Sequence, residues 1–469
     1  MFLDGLVPAP SWLNAGDTAW QLTAATLVGL MSVPGLAILY AGLMKRKWSL
    51  NSALMVLYAF AMTLLVWNLW SYNMSFGNSA KLLGQDIIGI PWPVNFASSE
   101  LGQATIPLLT NNGLLPPLHF PGSAMIYFQF VFGAITVIIL GGSLLGRMNF
   151  KAWMLFVPLW MTAVYPVGAF MIWGGGWLSQ LGAVDYSGGY VIHVAAGISG
   201  VVAAAVVGPR LLKDRLQNNP SNLLMAIAGG GLLWLGWNGF NGGDPYFANA
   251  DAAAAVLNTN VATGTALLVW MLLDVFMTGK SNVAGMINGM ICGLVAITPA
   301  AGFVNGFGAI AIGIVGAGIP WFTMQNLPKI KFFAKIDDTL GVMHTHLFAG
   351  AIGGLMTGLV ADPNMILYLG SGTTASVSVT GLLYGNPHQF VVQALALGVI
   401  LVYDGLATFV VINIVRLVVP LRMPAAHLEV GDEMVHGDVS LDLGTLREGI
   451  EPPSVPVTHE PSAEPVEVG

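Results

Sequence analysis

Two histidines in this sequence stand in the same relation to an upstream aspartate. His193 follows Asp185 by eight residues, and His346 follows Asp338 by eight residues, with a glycine between them in each case. Both histidines lie in long apolar stretches, where an ionisable side chain is costly and usually marks a pathway for a polar species. A neutral imidazole offers one hydrogen-bond donor and one acceptor. The alternative is that each aspartate caps a helix and each histidine is an isolated, hydrogen-bonded core residue.

The elements that must position these residues are helices that cross a membrane. Of the 469 residues, 55% are hydrophobic and only 8% are charged, whereas an ordinary soluble domain has about 25% charged residues. This composition excludes a water-soluble globular protein, a disordered chain and a nucleic-acid-binding protein. A single cysteine, Cys292, excludes a disulfide framework and a cysteine-based metal cluster.

Eleven apolar stretches are long enough to cross a hydrocarbon core of about 30 Å. We number them as spans 1 to 11, and they cover residues 18–44, 52–76, 123–146, 152–173, 188–207, 221–243, 252–277, 283–300, 303–322, 340–360 and 390–414. The predicted fold class is therefore an all-α polytopic membrane protein with eleven transmembrane helices.

The lysine and arginine residues predict the orientation of the chain. Every basic cluster follows an odd-numbered span, and only Lys81 follows an even-numbered one. Because cytoplasmic loops carry the excess of Lys and Arg, the N-terminus is predicted outside and the C-terminus inside. The predicted location is the cell membrane.

The two Asp–His segments indicate an inverted repeat. Asp185–His193 opens span 5 and Asp338–His346 opens span 10, and an offset of five spans reverses the direction of the second copy. Spans 1–5 and 6–10 are thus predicted to form inverted halves, with span 11 added. Eight helical residues rise about 12 Å, so the two histidines should meet near the membrane centre. His344 points to another side of its helix and is interpreted as peripheral.

Aromatic residues gather at the predicted outer ends of the spans. Phe128 and Phe132 lie one turn apart in span 3, Trp173 ends span 4, and Phe240 and Asp244 end span 6. Aromatic faces beside an acid attract a small cation through the ring quadrupoles and the charge. The alternatives are an interfacial aromatic belt for the tryptophan and plain core packing for the phenylalanines.

The composition changes after Val418. Residues 419–469 hold ten Asp and Glu against two Arg. We therefore predict a membrane domain at 1–418 and an acidic cytoplasmic tail at 419–469, partly disordered towards its end. The tail is either a solvated segment or a contact site for a cytosolic partner.

From residue 17 to about residue 437, the sequence resembles the ammonium transporter family, the Amt/Mep/Rh group. The resemblance implies eleven helices, a homotrimer with one pore in each subunit, and a PII-type cytosolic regulator at the tail. The tail motif of the family is matched only in part, by Gly431–Asp438. The segments that carry the resemblance occur in the family's order and are Asp17–Trp20, Pro34–Gly42, Phe128–Phe132, Trp173–Gly176, Asp185–His193, Gly236–Gly242, Ile297–Ala300 and Asp337–His346.

The resemblance also implies roles for individual pore residues. His193 and His346 correspond to the twin pore histidines, and we expect them to share a hydrogen bond. Phe132 and Phe240 correspond to the stacked phenylalanines of the outer gate.

Further roles concern the outer mouth and the two aspartates. Trp173, Phe128 and Asp244 correspond to the ammonium recruitment site, where the family usually has a serine in place of Asp244. Asp185 corresponds to a structural aspartate, and Asp338 is its inverted mate, so both are assigned a structural or proton-path role.

The function predicted from this resemblance is uptake of ammonium and methylammonium. A dry apolar pore penalises any desolvated ion, but ammonium escapes the penalty by giving up a proton and passing as ammonia, which potassium cannot do. We expect no enzymatic activity, cofactor, metal ion or nucleic-acid partner. The alternatives are an ammonium sensor that acts through its tail and a neutral-gas channel like the Rh branch.

Overall fold

The computed structural model describes residues 9–82, 84–217, 219–368 and 376–438. Within these ranges, nine helices are long and apolar enough to cross a membrane. Span 8 is shorter, with 15 residues, and span 10 also lies where it was predicted. Helices thus occupy all eleven predicted spans, and the predicted fold class is confirmed. In order, they are Ala15–Leu43, Ser49–Phe76, Gly122–Gly142, Phe150–Ala163 with Tyr165–Ile172, Gly189–Val207, Leu223–Gly242, Ala250–Thr278, Val283–Ile297, Gly306–Asn326, Met343–Val360 and Pro387–Val418.

Short elements connect the spans. Two antiparallel hairpins pair Ser79–Leu82 with Gln85–Gly89 and Leu367–Tyr368 with Ser376–Val377. The remaining helices are one or two turns long: Arg46–Trp48, Ala97–Leu101, Pro107–Asn111, Trp177–Gln180, Leu212–Leu216, Leu327–Lys329, Phe333–Lys335, Leu382–Tyr384, Ala425–Val430 and Asp432–His436.

Asparagine begins six of the spans. In each case the side-chain oxygen accepts a hydrogen bond from a backbone N–H of the first turn, which has no partner within the helix. These caps help to set where the spans begin. They are Asn14, Asn149, Asn222, Asn249, Asn282 and Asn305.

Spans 5 and 10 begin in the same unusual way. Each opens with a π-helical turn, Gly189–Val194 in span 5 and Met343–Phe348 in span 10, and each turn contains one of the two histidines. Single π-turns inside α-helices occur frequently at functional sites. Span 5 packs against span 10, and span 1 packs against span 6, so elements five spans apart meet as partners.

Glycines let spans 5 and 10 approach closely. Gly197 lies four residues after His193, and Gly350 lies four residues after His346. A Cβ atom on Gly197 would lie 2.5 Å from the Cβ of Leu347, and one on Gly350 would lie 2.7 Å from a backbone oxygen of span 5. Small residues at such crossings allow the backbones of membrane helices to come together.

The basic clusters meet at one end of the bundle. The Nζ atoms of Lys45 and Lys47 lie 2.9 and 3.0 Å from Asp214, and Arg210 contacts Asp337 at 2.9 Å. The loops after spans 1, 5 and 9 therefore lie together, as alternating membrane crossings require. We call this the inner end, following the orientation predicted from the charges.

Asp337 is the centre of a buried ion-pair network at the inner end. Burial by itself raises the pKa of a carboxyl group. The hydrogen bond and charge of Arg210, together with the charge of Arg147, outweigh burial and lower the pKa of Asp337 to about 2. Arg147 also donates to the Thr339 hydroxyl at 2.5 Å, which ties the loop after span 3 to the start of span 10.

The first part of the predicted tail packs on the inner end. The carboxylate of Asp432 accepts hydrogen bonds from the backbone N–H groups of Leu50 and Asn51, at 2.8 and 2.9 Å. These are the first residues of span 2, whose free N–H groups attract a negative charge. Lys47 also donates to the backbone oxygen of Leu428 at 2.7 Å. The predicted disorder concerns the end of the tail, where residues 439–469 lie outside the described ranges.

Candidate functional site

Asp185 forms the N-terminal cap of span 5. One carboxylate oxygen accepts from the N–H groups of Gly188 and Gly189, at 3.1 and 2.6 Å, and the other accepts from Tyr190 and Val191, at 2.8 and 3.0 Å. Four otherwise unpaired donors thus meet one buried carboxylate, which is favourable at a helix N-terminus. This cap holds the π-helical turn that carries the first histidine.

Asp338 caps span 10 in a similar but looser way. Its oxygens accept from the N–H of Met343 at 2.7 Å and from the hydroxyl of Ser143 at 2.8 Å. Asp338 is half-buried, whereas Asp185 is buried. Asp185 and Asp338 are therefore not equivalent, because the side chain of Asp338 remains partly exposed.

The two predicted pore histidines face each other inside the bundle. The ring centroids of His193 and His346 lie 5.5 Å apart, and the ring planes are tilted by 51°. Both residues are buried, at 0% and 8% exposure. Two imidazoles from opposite halves thus meet in an apolar interior.

The prediction that these two histidines share a hydrogen bond is wrong. Among the described residues, neither ring nitrogen of His193 has a hydrogen-bond partner. Nδ1 of His346 instead lies 2.8 Å from the hydroxyl of Thr345, which in turn donates to the Gly341 oxygen. The physical reason is that Nδ1 of His346 is engaged by Thr345 and that the two ring planes are tilted by 51° to each other. Both nitrogens of His193 therefore lack a protein partner.

Aromatic rings form a continuous row from the outer end to the histidines. The Phe128 and Phe132 centroids lie 4.8 Å apart, and Phe132 and Phe240 lie 4.4 Å apart. Phe240 then stacks on His193 at 5.9 Å with an interplanar angle of 17°. The predicted gate residues Phe132 and Phe240 are thus in contact, and His193 directly follows the gate.

Trp237 is a site residue that the sequence analysis missed. Its ring stacks on His193 at 5.4 Å and 23°, and its indole N–H donates to the Thr298 hydroxyl at 2.9 Å. Trp237 lies one helical turn before Phe240, so the spacing of three residues already placed both rings on one face of span 6. With Phe240, it fixes the plane of the His193 ring.

Trp173 and Phe128 lie on either side of the outer gate ring. The Trp173 ring meets Phe132 edge to face at 6.1 Å, and its indole N–H donates to the Asp185 backbone oxygen at 2.7 Å. Phe128 is fully buried and packs against the backbone of Gly243. The structure therefore brings these predicted recruitment residues to one place.

Asp244 is present at the outer mouth but is already engaged. Its carboxylate forms a short hydrogen bond with the hydroxyl of Ser187, which also lies 2.8 Å from the Phe240 backbone oxygen. Ser187 is a second residue that the sequence analysis missed. The hydroxyl of Ser187 and the carboxylate of Asp244 thus lie together at the outer mouth. In the described ranges, no group of three or more His, Cys, Asp or Glu side chains is placed to hold a metal ion.

Comparison with known proteins agrees with this geometry. Residues 19–440 match the Ammonium Transporter Family. The chain belongs to the ammonium transporter family. Within the family it is similar to Ammonium transporter 3 member 3 of Oryza sativa subsp. japonica, with 49% identity over 444 residues, which cover 92% of this chain and 90% of the relative.

Two further relatives support this assignment to the ammonium transporter family. Ammonium transporter 2 of Arabidopsis thaliana is 48% identical over 437 residues, which cover 92% of this chain and 89% of that protein. The crystal structure of Saccharomyces cerevisiae Mep2 is similar with a TM-score of 0.76 at 27% identity, over 89% of each chain. The chain described here is therefore a multi-pass protein of the cell membrane, and its function is ammonium uptake.

Proposed function

We propose that this transporter recruits ammonium at its outer mouth, removes a proton there, and conducts ammonia past His193 and His346. The observation that carries this proposal is the unbroken row of rings from Phe128 through the gate to the paired histidines. An ion that passes such a row must lose its water molecules, because apolar rings leave no room for them. The desolvated ion is strongly disfavoured. Neutral ammonia does not pay that penalty.

Recruitment is assigned to Trp173, Phe128 and Asp244. The ring faces attract a cation, and the Asp244–Ser187 pair adds a negative charge and a hydroxyl. Phe132 and Phe240 act as the gate, since their rings contact each other in the path and must swing aside. Asp185 has a positioning role, because it holds the turn that carries His193.

The histidines select for a molecule that can donate and accept hydrogen bonds. Because neither nitrogen of His193 has a protein partner, this ring keeps one donor and one acceptor for ammonia. Potassium offers no proton to give up and no donor to the imidazole. The pore can therefore distinguish two cations of similar size and charge.

We assign transport and no catalytic reaction, because the relatives are named as transporters and the row of rings provides a path. We also propose the homotrimer and the PII-type regulator that the family resemblance implies. Chemical cross-linking in membranes tests the trimer. Binding of a purified PII-type protein to the full-length chain tests the regulator, for which the docked segment 425–438 offers a contact surface.

The central experiment measures uptake of labelled methylammonium by a variant that combines His193→Ala and His346→Ala. We expect selective uptake to be lost. His388→Ala is the matched control, because His388 is exposed and is not one of the residues whose rings form the row. Unchanged selective uptake by the double variant would refute the role of the pair.

A second measurement separates the alternatives. Stopped-flow permeability of proteoliposomes to ammonium and to carbon dioxide separates uptake from a neutral-gas channel. Growth on limiting ammonium separates transport from pure sensing, because a sensor without transport does not supply nitrogen.

A further inference from the structure

Two cavities lie at the inner end of the pore and share a wall. The first has a volume of about 520 Å³ and the second about 440 Å³. Asp338 and His344 line both of them. His344, which was predicted to be peripheral to the histidine pair, is buried and lies two residues before His346 in the π-helical turn that opens span 10.

Thr323 holds one ring nitrogen of His344. Its Nδ1 lies 3.0 Å from the hydroxyl oxygen of Thr323, and that hydroxyl donates its single proton to the Pro320 backbone oxygen, also at 3.0 Å. While it donates to Pro320, the Thr323 hydroxyl can accept from Nδ1 of His344. In the tautomer that matches this arrangement, the lone pair of the neutral ring lies on Nε2.

Asp338 supplies the charge next to this lone pair. Its two contacts, with Ser143 and the Met343 N–H, use only part of the acceptor capacity of a carboxylate, which has about four lone-pair sites. Asn288 lines the same first cavity, and its amide nitrogen lies 3.5 Å from the sulfur of Met324. The lining of the cavity thus combines a carboxylate and an imidazole, both of which can accept hydrogen bonds, with the polar side chain of Asn288.

The charges of the linings favour the first cavity for a cation. Among the described residues that line it, none is Lys or Arg. The second cavity is lined by Arg210 and Arg215 as well as Asp337. Arg210 is paired with Asp337, and Arg215 lies 3.9 Å from the same carboxylate. In the second lining the two arginines balance Asp337 and Asp338, whereas Asp338 leaves the described lining of the first cavity with a net negative charge.

We propose that Asp338 and His344 form a binding site for ammonium at the inner mouth of the pore. Ammonium donates four hydrogen bonds and accepts none, which matches a carboxylate and a nitrogen lone pair. Potassium is a poorer ligand for the imidazole, because it has no hydrogen to donate. This proposal rests on the proposed function. Ammonium from the inner side that occupies the site would compete with molecules that leave the pore there.

The test compares the two faces of the protein. Right-side-out membrane vesicles present the outer mouth to the medium, and inside-out vesicles present the inner mouth. The probe is labelled methylammonium, which retains three N–H donors. We expect His344→Leu to raise the half-saturating concentration about tenfold in inside-out vesicles, and to leave it within about twofold in right-side-out vesicles.

Two further variants make the test decisive. Thr323→Val keeps His344 but removes the hydroxyl that holds its Nδ1, so we expect a smaller rise on the inner face only. This variant decides the question if His344→Leu does not fold. His388→Leu is the control, with no change on either face.

The outcomes separate the two proposals. Equal changes on both faces, or no change on either, would overturn the inner site while the proposed function stands. If the wild-type protein shows no saturable methylammonium transport in either orientation, the proposed function fails and the site fails with it.

Discussion

Gly350 packs directly against His193: a Cβ atom on Gly350 would lie only 3.0 Å from the Cβ of His193. Gly350 belongs to the span that carries His346, so this contact sets how closely the two histidine-bearing helices approach. It links the packing of the inverted halves to the geometry of the pore.

Gly350→Val is therefore expected to abolish methylammonium uptake, because the added side chain forces spans 5 and 10 apart and separates the rings. Overpacking of this kind costs about 1–3 kcal/mol, so the protein should still be recovered from membranes. Gly398→Val in span 11 is the control, since a Cβ there meets nothing within 4 Å. Normal uptake by Gly350→Val would show that the helix spacing does not limit transport.

Removal of both gate rings should open the outer pore to water. In a Phe132→Ala/Phe240→Ala double variant, the contact at 4.4 Å is lost and His193 loses one of its stacking partners. We expect osmotic water permeability of proteoliposomes to rise, measured by stopped-flow light scattering. Phe409→Ala is the control, because Phe409 is exposed on span 11. An unchanged water permeability would mean that these rings do not close the pore.

Asp244→Asn should weaken recruitment without closing the pore. Asparagine can still accept from Ser187 but removes the negative charge. A partly screened charge next to a cation contributes about 1 kcal/mol or more, which corresponds to a rise of roughly fivefold in the half-saturating concentration of methylammonium. We expect the maximal rate to change little. A fall in the maximal rate alone would assign Asp244 to the gate instead.

Docking of the tail should depend on pH through Asp432. Burial raises the pKa of Asp432 from 3.8 to about 6, although its hydrogen bonds with Asn51 and Leu50 partly oppose this. A raised pKa means that docking is strongest below about pH 4 and weakens as the pH rises through 6. Limited proteolysis of the tail at several pH values measures this. Asp432→Asn should remove the dependence, and a variant with the wild-type pH profile would contradict the assignment.

Loss of Asp337 should destabilise the inner end. Asp337→Ala leaves the buried guanidinium group of Arg210 without its carboxylate and removes the nearest opposite charge from Arg147. Removing one partner of a buried pair costs about 3–5 kcal/mol. We expect a lower melting temperature in detergent. Asp362→Ala is the control, because Asp362 is a buried carboxylate that accepts hydrogen bonds from Asn305 and Asn364 and, within the described part of the chain, has no arginine partner. Equal decreases in melting temperature for the two variants would mean that the ion pair stabilises the protein no more than another buried carboxylate does.

Much of the architecture was predictable from the sequence. Apolar stretches between basic clusters located the helices, because only a helix satisfies its backbone hydrogen bonds within a membrane. The spacing of Asp185 and His193, repeated by Asp338 and His346, predicted that two histidines from opposite halves would meet. These features depend on local periodicity and on the thickness of the bilayer, and both can be read along the chain.

The details of the site depended on contacts between residues far apart in the sequence. Ser187 contacts Asp244, Trp237 stacks on the ring of His193, and His344 lines the inner cavities. Side-chain direction at a π-helical turn departs from the regular helical period, and the partner of a polar side chain on another span is not encoded in local spacing. The sequence by itself therefore determined the spans, their order and the histidine pair, whereas only the tertiary structure decided which hydrogen bonds those residues make.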